Sequence, residues 1–322
     1  MKVVLGLDAG GTKTRAVICD ETGQVLADVT AGAGNMDGVG QAVAQRSLRE
    51  AVEAARTAAG NLTIDAAFAG LAGVVTEQDR EQATAMLAPA LPGARLMIDH
   101  DCRVALAGGL SGRPGIVLIA GTGASCFGRN ADGRAWLASG WGATFGDEGS
   151  GYWIAVEGVR AALRCHDGRG AKTSLGAVLW PALGISHPND VLRYARSGAW
   201  KRPQIAALAP LVIEAASHGD QVAWSIVNQA ADELSRAVDA VRRAVGLTGS
   251  FETVLAGGLW RADVMVQAVG HKLSQVAPQG RIVDAELPPA RGAALLALTE
   301  LLGRGAPQLS VSELAAQLRQ GN

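Results

Sequence analysis

The chain opens with apolar runs broken by glycine-rich or polar turns. The stretch "VVLGLDAGGTKTRAVICDETGQVLADVTAG" reads as an apolar strand, a glycine-rich turn, a second strand, the tight turn "ETG" and a third strand. Residues 115–140, "GIVLIAGTGASCFGRNADGRAWLASG", repeat that plan. An offset of 110 positions lays Gly11-Thr12 on Gly121-Thr122 and Gly23 on Gly133. A constant offset that aligns a glycine turn, a hairpin turn and apolar strands predicts an internal duplication, each half opening with the same β-meander.

Between the two meanders, "VGQAVAQRSLREAVEAARTAAG" has small apolar residues at helical spacing and ends at Gly60, a C-terminal cap. "IDAAFAGLAG" predicts a strand. A helix follows in "TEQDREQATAML", where Thr76 and Asp79 have capping-box spacing, and then the strand "ARLMIDHD". The second half predicts helices near 150–164, 203–217 and 219–245, the last with Val222, Ile226, Val227, Ala230, Leu234, Val238 and Val241 on one face. Strand "FETVLAGG", a helix, strand "RIVDAEL" and a terminal helix from "PPARGAALLALTELLG" complete it, while 167–202 reads as surface connections with a short helix or two. Alternating strands and helices imply α/β sheets, partly parallel and flanked by helices.

The length of 322 residues suits two domains, and 48% hydrophobic against 18% charged residues implies large buried cores. A net charge of −1, with no basic stripe, argues against nucleic acid as a partner. "MKVVLGLDAGG" lacks both a signal-peptide core and a membrane span, which places the chain in the cytoplasm. Cys19, Cys102, Cys126 and Cys165 are too scattered for a structural metal site and read as reduced, packed thiols.

"GLDAGGTKT" looks like a nucleotide loop, yet it is neither familiar kind. A Walker A loop needs Lys where this chain has Thr12, and a dinucleotide fingerprint needs a third glycine that "GTGASC" lacks. Both loops also run into a strand, not a helix. Consecutive glycines between strands still let backbone N–H groups approach phosphate oxygens, and Thr12, Thr14 and Thr122 offer hydroxyls. Two such loops, one per half, would clasp one nucleotide from both sides.

The set "DAGGTKT", "GTGAS", "GWGATFGDEGSGYWI" and "LAGGL" resembles the sugar-kinase, heat-shock ATPase and actin superfamily. Within it the chain is similar to the N-acetylglucosamine kinases of the BadF/BadG/BcrA/BcrD ATPase family, "GDEGSGYWI" being specific to that branch. The resemblance implies two actin-like (ribonuclease H-like) lobes related by duplication, with an ATP cleft between them. The lobes would be 1–114 plus a C-terminal helix over about 291–322, and 115–290. Their closure would exclude water from the phosphoryl group.

It also implies roles residue by residue. ATP would be bound by Asp8, Gly10, Gly11, Thr12, Lys13 and Thr14, by Gly121, Thr122 and Gly123, and on the adenosine side by Gly257 and Gly258. Asp8 would act on Mg2+ through water. The general base, at the end of the strand before the second loop, is Asp101 in preference to Asp99; an N-cap is the structural alternative for either. Sugar contacts carry over to Asn35, Asp101, Ala124, Ser125, Gly140, Trp141, Gly142 and Asp147. Ser150 or Asp147 would start the following helix, with Glu148 in its first turn complementing the dipole.

Two departures stand out: Ala124-Ser125 replaces the Ser-Asn of animal enzymes, and "ATF" before Asp147 replaces methionines. The resemblance implies transfer of the γ-phosphoryl of ATP to the 6-hydroxyl of N-acetylglucosamine, with glucosamine or a muramic-type sugar as the alternative substrates that these departures leave open, and a homodimer. The absence of a Cys-rich motif excludes the zinc-holding sugar-kinase branch. A different class in the same family, iron–sulfur activators of CoA-thioester dehydratases, would need a cysteine cluster, for which Cys126 and Cys165 are the remaining candidates. A nucleotide-binding regulator would lack the acidic residues Asp101 and Asp147.

Overall fold

The structure is a computed structural model and describes residues 1–35, 40–303 and 310–320. The first half runs β1 (Val3–Ala9), β2 (Thr14–Asp20), β3 (Val25–Ala31), α1 (Gln41–Ala58), β4 (Ala66–Leu71), α2 (Glu77–Leu87), β5 (Arg95–His100) and α3 (Asp101–Gly109). The second begins with β6 (Gly115–Ala120), β7 (Ala124–Arg129) and β8 (Ala135–Ser139). It continues through α4 (Gly142–Phe145), α5 (Gly151–His166), α6 (Leu175–Ala182), α7 (Asp190–Arg196), α8 (Arg202–Ala206), α9 (Ala209–Ser217) and α10 (Gln221–Val245). Then come β9 (Phe251–Ala256), α11 (Asp263–Val276), β10 (Gly280–Val283), α12 (Pro289–Leu302) and α13 (Val311–Gln320).

The strands form two five-stranded sheets, ordered β3-β2-β1-β4-β5 and β10-β9-β6-β7-β8. Read from the meander outward, the orders are the same, which bears out the duplication. The correspondence reaches single hydrogen bonds. Gly23 N–H donates to Asp20 O at 3.0 Å and Asp20 N–H to Gln24 O at 3.1 Å; 110 positions on, Gly133 donates to Asn130 at 3.1 Å and Asn130 to Arg134 at 2.9 Å. Both turn glycines sit at φ +87°. The halves part beyond the turn, where a bulge at Ile18/Cys19 shifts the β2–β3 register.

In the first sheet β1 runs antiparallel to β2 and parallel to β4. Strict alternation sends Leu5, Leu7, Ala16 and Ile18 to one core, with Leu48 and Val52 of α1. Val4, Val17 and Cys19 go to the other, with Ala293, Ala294 and Leu298 of α12. A sheet covered on both faces needs apolar residues at every step, which is why these strands read as near-continuous apolar runs.

The chain divides into two compact units, Met1–Val117 with Asp284–Asn322, and Leu118–Val283. The return to the first unit thus comes before the expected position of about 291. Glu286 and Leu287 N–H groups already bond the carbonyls of Gly109 and Gly108 at 3.0 and 3.1 Å, and Glu286 pairs with Arg113 at 2.6 Å. The single terminal helix expected over 291–322 is two helices. Ser310 and Glu313 restart the second with a capping box: Ser310 N–H donates to Glu313 Oε2 at 2.7 Å, and Glu313 N–H to Ser310 Oγ at 3.3 Å. The helix expected over 203–217 is also two, α8 and α9, the second opening with Pro210 in its first turn. No described helix is long and apolar enough to cross a membrane.

Candidate functional site

In the first unit the hairpin between β1 and β2 is closed by Gly10 N–H to Lys13 O at 3.0 Å. The N–H groups of Gly34 and Asn35 both donate to Gly10 O, at 3.1 and 3.3 Å, which brings Asn35 to the loop. Gly11, Thr12 and Lys13 are exposed. Thr14 differs: it is fully buried, and its Oγ1 finds no hydrogen-bond partner among the described residues. That hydroxyl lies beside Gly34, where a Cβ would stand 2.6 Å from it.

Asp8, near the end of β1, is half-buried. Burial first, and the negative charge of Asp101 second, push its carboxyl up to about 7, against the opposing charges of Lys13 and Arg15. Asp101 is also raised by burial, opposed by His100 and by hydrogen bonds from Cys102. It is the first residue of α3, not its cap: His100 holds the N-cap position and makes no side-chain cap bond. The helix dipole there favours an anion.

Asp99, the alternative base, is committed elsewhere. It accepts from Arg103 Nη1 at 2.6 Å and Arg80 Nη2 at 3.3 Å. Burial works against its ionisation, but Arg103 and His100 hold its carboxyl below the usual range. The paired carboxylates Asp8 and Asp101 suit a hydrated divalent cation, since a positive charge relieves the repulsion that raises Asp8.

In the second unit the β6–β7 hairpin closes more tightly, Gly121 N–H to Gly123 O at 2.9 Å. Gly257, at φ +107°, lies so close to β6 that a Cβ would stand 2.3 Å from Ala120 O, and a Cβ at Gly121 would stand 3.8 Å from Gly258 N. The expected nucleotide glycines of this unit are therefore adjacent. Ser150 caps α5, accepting Trp153 N–H at 3.1 Å, and Asp147 does not. Glu148 precedes the helix, so its expected place in the first turn is corrected as well.

Asp147 adopts left-handed backbone at φ +59° and is only 3% exposed. Ala124 and Gly142 N–H groups donate to its carboxylate. Gly140 packs on Ser125 and Ala124, so Ala124, Ser125, Gly140, Gly142 and Asp147 form one cluster. Ala124 itself is buried, and Trp141 stands 74% exposed.

Sequence reading missed Arg202, assigned to a surface connection. Its Nη2 donates to Asp147 Oδ2, and a Cβ at Gly123 would lie 2.4 Å from that nitrogen and 3.0 Å from the carboxylate oxygen. Burial raises Asp147 while Arg202 opposes the shift.

A sheet order repeated in both halves, with a glycine-rich hairpin loop at the same place in each, defines the duplicated actin-like architecture of sugar kinases. The chain belongs to the BadF/BadG/BcrA/BcrD ATPase family, whose model matches residues 5–297. It is 32% identical to the N-acetylmuramic acid/N-acetylglucosamine kinase of Clostridium acetobutylicum, over 93% of this chain and 99% of that one. It is also 32% identical to the N-acetyl-D-glucosamine kinase of Dictyostelium discoideum, over 92% and 98%. A solved structure from Chromobacterium violaceum, designated an N-acetylglucosamine kinase, matches with a TM-score of 0.75 at 27% identity, over 92% of this chain and 99% of that one.

Proposed function

We propose that this chain is an ATP-dependent amino-sugar kinase that transfers the γ-phosphoryl group to the 6-hydroxyl of N-acetylglucosamine. The observation that carries the chemistry is the Asp8–Asp101 pair in one unit, beside an exposed glycine loop. Membership of the family and the kinase relatives support the reaction class.

A sugar hydroxyl is too weak an acid for outright deprotonation by a carboxylate. Asp101 orients it and accepts its proton late, while the phosphoryl group passes through a loose transition state. Its raised pKa makes Asp101 a better acceptor than an ordinary carboxylate. N–H groups at the exposed Gly11 and Thr12 and at the half-buried Thr122 donate to phosphate oxygens, and Lys13 adds positive charge. Asp8 is the residue that would hold Mg2+, which when bound would supply charge neutralisation at the phosphates. Asn35, Ser125, Gly140, Trp141, Gly142 and Asp147 receive the sugar, and Gly257 and Gly258 the adenosine side. The protein works in the cytoplasm as a homodimer.

An ADP-release assay across N-acetylglucosamine, glucosamine, N-acetylmuramic acid and glucose tests this. The highest kcat/KM is expected with N-acetylglucosamine. ADP release that no amino sugar stimulates would refute the reading, and preference for glucosamine or the muramic sugar would correct the substrate.

A further inference from the structure

We propose that Arg202 is the positioning residue for Asp147, holding that carboxylate beside the second glycine loop as the acceptor for the sugar's hydroxyls. The inference rests on the amino-sugar kinase reading and deepens it.

Asp147 lies on the segment between α4 and α5, Arg202 opens α8, and 55 positions separate them. The Asp147 side chain is 4% exposed and that of Arg202 is 38% exposed, so the pair runs from the interior to the surface. The carboxylate is already fixed by the Ala124 and Gly142 N–H groups. Among the described residues Arg202 supplies the side-chain cation in contact with it, and Glu148 adds opposing negative charge. The fit is made at a cost: Arg202 Nε is buried with no partner among the described residues, while Nη2 is committed to Asp147.

Gly123 shows how closely the pair meets the loop. A Cβ there would collide with Arg202 Nη2 at 2.4 Å before anything else. The guanidinium thus lies against the backbone that follows Thr122 and precedes the sugar-side residues Ala124 and Ser125. The guanidinium, permanently charged, holds the carboxylate through Nη2, a reach and planarity that a lysine ammonium does not reproduce.

Kinetics of the parent protein, R202M, R202K, D147N and R202M/D147N decide the matter. R202M is expected to raise the KM for sugar roughly tenfold or more, with the KM for ATP changed less than about threefold. R202K, which keeps the charge and loses the planar guanidinium, should raise sugar KM about threefold, and it carries the test if R202M does not fold. The double variant should be no worse than D147N alone, because Arg202 acts through Asp147. Sugar KM within about twofold of the parent in the folded arginine variants would overturn the inference. So would a rise confined to the KM for ATP, which would make Arg202 a phosphate ligand. A parent that phosphorylates no amino sugar would refute the kinase reading and this inference together; an active parent with unaffected variants refutes this inference alone.

Discussion

Shifted by 110 positions, Asp8 falls on Leu118, Lys13 on Gly123, Thr14 on Ala124 and Arg15 on Ser125. Sheet order and turn are common to both halves, while the groups around the loops are not. Leu118 is fully buried, the ordinary occupant of a central strand. Asp8 on the matching strand has its carboxyl pushed up to about 7 by burial and by Asp101. The first loop is bordered by two carboxylates that repel each other, and the second by the ion pair Arg202–Asp147. Packing constrains the strands and turns of both copies alike. Chemistry is placed at the few positions flanking the loops, where the copies are free to diverge.

The largest effect is expected at Asp101. Asp101→Asn should lower kcat by roughly 10²- to 10⁴-fold with a modest change in sugar KM, the signature of a lost proton acceptor. Asp99→Asn should act on the fold instead, leaving Arg80 and Arg103 without their shared carboxylate while kcat stays within about tenfold. A reversed pattern in a coupled assay would exchange the two roles.

Next comes the Asp8–Leu118 contrast. The folded-state pKa of Asp8, about 7, lies above its ordinary 3.8, so the native state holds this proton more tightly than the unfolded chain. Stability therefore falls as pH rises between those values, and the full penalty applies above 7. In protein free of nucleotide and metal, Asp8→Asn should raise unfolding free energy at pH 8 on the order of 2–4 kcal/mol. The gain should fade as pH approaches 4, and activity should drop throughout. Urea unfolding at pH 8 and pH 5 measures it; equal stability of variant and parent at pH 8 would break the contrast.

The parts legible in the sequence were those encoded locally. Glycine turns, apolar strands and the 110-residue offset are short-range signals, and they led to the duplicated sheets. The burial of Thr14 is equally legible: it stands two and four positions before Ala16 and Ile18, and period-2 alternation turns all three to the same side of β2. Pro210 likewise marked the break between α8 and α9. Arg202 was different in kind. Only folding brings it to Asp147, and nothing in "KRP" distinguishes a buried ion pair from a solvated turn. The preference for Asp101 over Asp99 came from family resemblance; the structure adds the physical difference, a carboxylate tied up by two arginines against one beside Asp8.

Gly123 and Lys13 occupy matching places in the two loops, one crowded and one open. Gly123→Ala should cost about 1–3 kcal/mol through displacement of Arg202 or Asp147, read as lower Tm or higher sugar KM. Lys13→Ala should shift unfolding free energy by no more than about 0.5 kcal/mol, since that side chain is exposed. Equal stability losses at the two positions would show that the loops are not packed differently.

The smallest effects test the feature the halves share most closely. Gly23 and Gly133 have the same φ of +87° and the same turn hydrogen bonds, so alanine pays the same backbone penalty at each, about 1 kcal/mol. Their surroundings differ. A Cβ at Gly23 would stand 3.0 Å from Leu314 O and 3.1 Å from Gln317 Cβ of α13, whereas at Gly133 the nearest atom is Arg129 Nη2, 3.7 Å away. Gly23→Ala should therefore destabilise by about 2 kcal/mol and Gly133→Ala by about 1 kcal/mol in chemical unfolding. The difference isolates the packing of α13 on the first turn, because the backbone term cancels. Equal losses would mean that α13 yields at no cost, and a larger loss at Gly133 would mean that the turns are not equivalent in solution.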